Sequence, residues 1–162
     1  LIQLNDLFLK IPKLPIIIII AAFMLPSVWN LVFVFAIFEW AITARIIRSE
    51  VLTLRNRNYV DATRLFGAKD SHILAWHILP YVVPLVFVQL VLVSRYILLA
   101  ESGLSFIGLG DPTAKSWGMM LHDAFAYPTI FISDLWMWWM LPAGLCIVLT
   151  ILSFTFIGYA LE

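Results

Sequence analysis

Apolar residues run through this chain in four long stretches. The first covers about residues 7–25, with an unbroken run from Ile16 to Ile20, and Pro26 ends it. The second covers about 28–47, the third 81–100 and the fourth 135–161, leaving polar segments at 48–80 and 101–134. A helix needs about 20 mostly apolar residues to cross the hydrocarbon core of a bilayer, so the pattern predicts four spanning helices. The strongly apolar part of the first begins only at Leu14, and Lys10 and Lys13 would have to stretch toward headgroups. Pro84, and Pro142 with Gly144, lie inside or near the ends of spans, where neighbouring helices or cavity water can satisfy the freed carbonyls. The fold class this predicts is all-α, a polytopic helical bundle integral to the membrane.

Composition sharpens that picture. At 63% hydrophobic, 12% charged and a mean hydropathy of +1.00, the chain has too few polar side chains to cover a soluble domain of its size. Its net charge is zero, so no overall basic field favours nucleic acid. The distribution of charge is lopsided. Lys10, Lys13, Arg45, Arg48, Arg55, Arg57, Arg64 and Lys69 fall on one side of the spans, and only Lys115 on the other, with Glu101, Asp111, Asp123 and Asp134. Cations near span ends are retained in the cytoplasm, which predicts both ends of the chain and the 48–80 loop inside. Trp29, Trp136, Trp138 and Trp139 then meet the outer interface, where an indole is half wet. Cys146 is the single cysteine, excluding an internal disulfide or thiolate cluster, and reads as a quiet buried thiol. The chain opens at Leu1, without a charged segment leading to a cleavage site, and reads as a piece of a longer protein.

The 48–80 segment carries the strongest pattern. From Asn58 to Pro80 it predicts two short helices joined by a sharp turn. The first, about residues 59–66, stops at Gly67, which can take the left-handed conformation of a helix end. Asp70 or Ser71 is expected to cap the second, which runs to Leu79, and Pro80 suits the first turn of the next span. Ile73, Trp76 and His77 share one predicted face. Such a rigid pair can be pushed as a unit by a cytosolic partner.

This stretch resembles the EAA loop of the permease subunits of binding-protein-dependent ABC importers. Asp61-Ala62-Thr63 stands at the Glu-Ala-Ala positions, with Gly67 and Leu79-Pro80 in register with the Gly and the terminal Leu-Pro of that pattern. Asp replaces Glu, Thr replaces the second Ala, and His77 replaces an Ile. A second segment, Ala100 to Gly110 with Asp111-Pro112 and Ser116 to Leu121, resembles the outer segment of the dipeptide, oligopeptide and nickel permeases, and Leu141 to Gly144 and Phe154 to Leu161 are similar to their last span. The resemblance implies a permease of the inner membrane forming half of a translocation pathway. It further implies a second permease, two ATPase subunits that dock on the loop, and an extracytoplasmic binding protein that docks near residues 101–134. ATP would be hydrolysed on the partner subunits, leaving this chain no enzyme and without a cofactor of its own. Family members carry further spans before this point and a basic tail after it, and neither is present here.

Other readings were open. Gly103 to Gly108 has the glycine spacing of a phosphate loop, but Leu109-Gly110 stands where Lys and Ser/Thr are required. His72 and His77 do not share a helical face, and His122 beside Asp123 reads either as a solvated pair or as a metal contact. Arg55, Arg57 and Arg64 could meet an ATPase or rest on anionic headgroups. Glu39 and Arg95 are ionisable groups in otherwise apolar runs, each costing about 2.5–3.5 kcal/mol at midplane, and were expected to pair between the second and third spans. As ion-pathway charges Glu39 and Arg95 also suit a rival class, a secondary transporter or channel, and a membrane scaffold that transports nothing is a further rival.

Overall fold

The computed structural model describes residues 12–161 and, among them, only helices and connections. They are α1 (Lys13–Phe23), α2 (Val28–Arg55), α3 (Asn58–Leu65), α4 (Asp70–Ile73), a π-turn (Leu74–Ile78), α5 (Leu79–Phe106), α6 (Trp117–Phe125) and α7 (Leu135–Leu161). The segment from α4 through the π-turn to α5 is one unbroken helix of 37 residues.

Three helices are long and apolar enough to span: Val28–Arg55, Asp70–Phe106 and Leu135–Leu161. The fourth expected span corresponds to α1, which has 11 residues and covers only about half of a 30 Å core. The predicted start of that span, with Lys10, lies outside the described residues. The last span has the bounds its sequence predicts.

Helix α5 is the common packing partner, touching α2, α6 and α7. One apolar core forms where α1 crosses α2 and the end of α5, from Ile17, Ala21, Leu31, Phe35, Phe38 and Leu104. The outward faces are equally apolar: Trp29, Phe33, Ile37 and Trp40 on α2, and Leu145, Leu149, Leu152 and Phe156 on α7, are exposed. In water that surface would be unsustainable, so it belongs against lipid or further helices. Cys146 lies on this exposed face of α7, correcting its expected burial.

Pro84 and Pro142 sit within α5 and α7 without ending them. Trp29 opens α2 and Trp136, Trp138 and Trp139 open α7. Both starts share one end of the bundle with the 24–27 and 107–134 connections, and the helix pair of residues 58–78 occupies the other.

Candidate functional site

The helix pair is built on its own small core. Val60 of α3 is fully buried and packs with Leu54 of α2, Ile73 of α4, Ile78 of the π-turn and Val82 of α5, flanked by Ile47, Val51 and Ala68. These residues come from every element at that end, so the pair is fixed to the two longest helices rather than hanging as a loop.

Between α3 and α4 the chain reverses at Gly67, with φ of 81°. The Ala68 amide donates to the Thr63 carbonyl at 3.3 Å and the Gly67 amide to the Arg64 carbonyl at 3.0 Å. This is the Schellman arrangement, which satisfies two carbonyls left over at a helix end and needs one residue in the left-handed region. Leu65 and Phe66, just before the turn, project at 88% and 92% exposure. The same outer face carries Asp61, whose carboxylate meets Arg64 at 3.4 Å in an exposed pair of little energetic weight.

The second helix departs from expectation in three ways. It starts with Lys69 as N-cap and without a side-chain cap, so Asp70 lies in the first turn, where its charge favours the helix dipole instead. It does not stop before Pro80. Proline lacks an amide proton and its ring crowds the carbonyl four residues earlier; here the helix widens, with the Leu79 amide donating to the Leu74 carbonyl, and passes straight into α5. That extra residue per turn rotates the inward face. Ile73, Ile78 and Val82 are buried, whereas Trp76, expected beside Ile73, is exposed.

Thr63 and His77, the two departures from the EAA pattern that face inward, touch each other. The Thr63 hydroxyl donates to the Tyr59 carbonyl at 2.7 Å and lies 3.5 Å from His77 Nε2. The His77 ring stacks on Tyr59 at 6.3 Å between centroids, and its Nδ1 is buried without a hydrogen-bond partner among the described residues. Asp61, Ala62 and Thr63 on α3, Gly67 at the turn, and Leu79 and Pro80 at the start of α5 thus belong to one assembly. Leu65 and Phe66 were missed in sequence because two apolar residues before a glycine are indistinguishable from a buried helix end.

The expected Glu39–Arg95 pair does not form. Lys13 Nζ donates to Glu39 Oε1 at 2.9 Å, and Arg95 donates to Thr155 Oγ1 on α7 at 3.3 Å. The reason is adjacency: α1 and α2 are joined by a four-residue connection, and Lys13 and Glu39 stand nearly the same number of residues from it. That symmetry was the available signal. Lys13 accordingly turns inward rather than toward headgroups.

A bundle of spanning helices with a helix pair fixed to one end and an EAA-like turn at its tip defines a transport-system membrane subunit. A profile of the family described as "Binding-protein-dependent transport system inner membrane component" matches residues 3–162, and the chain belongs to that family. It is 36% identical over 158 residues to proteins of Brucella ovis and Brucella suis, and 35% identical over 158 residues to one of Brucella abortus, each named "Putative peptide permease protein". In each case the match covers 97% of this chain and 51% of the relative. The chain therefore spans about half the length of the curated relatives it matches.

Proposed function

We propose that the chain is a permease subunit of an ABC importer for peptides. In this reading it forms half of the translocation pathway, pairs with a second permease, and receives substrate from a binding protein at the end carrying residues 107–134. Two ATPase subunits dock on the helix pair and supply the ATP hydrolysis that this chain does not perform. The observation that carries the reading is mechanical. The exposed Leu65–Phe66 tip is fixed by the Val60 core to a continuous 37-residue helix, so a push on the tip moves that helix as a body. Peptide as the substrate rests on the names of the relatives, and nothing favours nickel over it.

The helix-pair end is read as cytoplasmic, because Arg45, Arg48, Arg55, Arg57, Arg64 and Lys69 cluster toward it. Glu39 and Arg95, the two charges of the channel reading, are engaged with Lys13 and Thr155 rather than with each other.

Photo-crosslinking in the assembled transporter tests both parts. With Cys146→Ala as background, a benzophenone on Phe66→Cys is expected to capture the ATPase subunit, and one on Ile132→Cys is not. Capture of the ATPase from position 132, or from neither, would sink the assignment.

A further inference from the structure

Lys13, Glu39 and Tyr96 form a polar cluster in the middle of the bundle. The Lys13 ammonium is 2.9 Å from Glu39 and lies 5.4 Å from the centre of the Tyr96 ring, joining α1, α2 and α5. At 1.5 Å per residue, Lys13 is about 15 Å from the connected end of α1 and Glu39 about 16 Å from that of α2, close to the midplane of a 30 Å core. Yet the pair is not sealed: the side chains retain 21% and 9% of their exposure. An ammonium facing lipid at that depth is costly. The open side of Lys13 therefore faces water or protein.

Two cavities lie near the cluster, and Tyr96 lines the second of them. A cleft of about 410 Å³ between α2 and α5 runs from Val28 and Asp111, past Glu101, to Ala36 and Ile97, one turn or less from Glu39 and Tyr96. A second, of about 330 Å³ between α1 and α5, is lined by Tyr96 itself and by Leu14, next to Lys13. The first is of a size that takes a small ligand, apolar in lining with a few polar groups. Its own carboxylates are Asp111 at the mouth and Glu101 further in, and about one turn beyond Ala36 lies Glu39, paired with Lys13. As a pure structural element the ion pair is a poor investment, because an apolar pair of similar volume stabilises a core as well or better.

We propose that Lys13 and Glu39 are a substrate station on the pathway, which takes a zwitterionic peptide by exchanging partners. Glu39 accepts the peptide ammonium, drawn inward past Asp111 and Glu101, and Lys13 takes a carboxylate. Tyr96 keeps the Lys13 ammonium in place over its ring while the pair is open. No covalent step is involved. The proposal rests on the peptide-permease reading above and names where that substrate makes contact.

The test separates a structural pair from a station. In the assembled transporter, Glu39→Gln should lower uptake of tri-alanine at least tenfold with the complex still assembled. The double variant Lys13→Glu with Glu39→Lys restores the attraction but presents each charge to the substrate from the wrong helix. It should recover thermal stability and not uptake; recovery of uptake would make the pair merely structural and overturn the station. Should the swap fail to assemble, Tyr96→Cys with Cys146→Ala decides. Its thiol should react with a water-soluble thiosulfonate, more slowly once binding protein and tri-alanine are supplied. An unreactive thiol, or a rate indifferent to tri-alanine, would overturn the station. If the unaltered transporter moves no tri-alanine, the peptide reading itself fails, and the ligand class with it.

Discussion

Gly67 and Gly108 end their helices in the same way, at opposite ends of the bundle. Their φ angles are 81° and 88°. At Gly108 the Leu109 amide reaches the Leu104 carbonyl at 2.9 Å and the Gly108 amide the Ser105 carbonyl at 3.0 Å, the same pair of bonds made by Ala68 and Gly67. What surrounds them differs. Leu109 packs on the α1–α2–α5 core, and His122 closes over Gly108, its Nδ1 bonded to the Phe106 carbonyl at 2.8 Å. At Gly67 a β-carbon would meet nothing within 4 Å, and Leu65 and Phe66 stand in the open. Identical local geometry is thus packed on one side by Leu109 and His122 at Gly108, with Phe106 and Ile107 still exposed, and meets no neighbour at Gly67. A bare turn whose apolar tip is rigidly founded is suited to a partner; a turn held by its own chain serves the fold.

Substituting the two glycines should therefore give opposite outcomes, and this is the largest effect expected. An L-residue in the left-handed region costs about 1–2 kcal/mol at either site. Gly108→Ala brings a methyl to 3.2 Å from His122 Cε1, so the ring must give by a few tenths of an ångström. It should lower Tm in detergent more than Gly67→Ala. Gly67→Val should leave insertion intact and abolish ATP-coupled uptake, because the tip loses its fixed angle. Normal uptake in Gly67→Val, or equal Tm losses at both alanines, would break the contrast.

The apolar side chains beside each turn sharpen it further. Leu65→Ser with Phe66→Ser removes contacts only from the open tip, so the subunit's own stability should shift by no more than about 0.5 kcal/mol. Retention of the ATPase in pull-down should fall about tenfold or more, as for truncation of a central anchor. Phe125 at the other end stands edge-on between Phe106 and Phe131, at 5.7 and 5.9 Å between ring centroids. Phe125→Ser should lower Tm and leave ATPase retention unchanged. The reverse pattern would mean the two ends have been assigned wrongly.

Much of this was legible in the chain, for physical reasons that also mark where legibility stopped. Length and hydropathy suffice for a helix that must satisfy its own backbone in lipid, so α7 was read with the bounds it has. Gly67 was legible because few other residues take positive φ. The π-turn was not: the period of the inward face depends on how the helix accommodates Pro80, and no spacing of Ile73, Trp76 and His77 reveals the extra residue. Partners of intramembrane charges were misread for a similar reason. Glu39 and Arg95 were matched by charge, whereas the short connection between α1 and α2 had already brought Lys13 to Glu39. Which exposed residues matter was the least legible, since Leu65 and Phe66 differ from core residues only in where the turn points them.

The smallest effect concerns a tether that the Gly108 end has. Beyond that turn Asp111 Oδ2 accepts from the Val28 amide at 3.3 Å, tying the connection to the start of α2. Its Oδ1 accepts from the Thr113 hydroxyl at 2.6 Å and the Thr113 amide at 2.8 Å. The Thr113 hydroxyl, then the Thr113 amide, and less strongly the Val28 amide hold this carboxyl below its ordinary value of 3.8. A depressed folded value means the unfolded chain takes up the proton first as pH falls. The contribution is thus whole above the ordinary value and is lost as pH drops through the lower, folded one. Because the residue is half-exposed at the surface, solvent screens its charge and the effect should be slight. In Asp111→Asn the amide oxygen still accepts from these donors, but the charge is gone. The Tm difference between the parent and this variant should be constant from about pH 6 to 8 and shrink below the ordinary carboxylate value. A difference that grew in acid would mean that Asp111 acts at this end through something other than its charge on these amides.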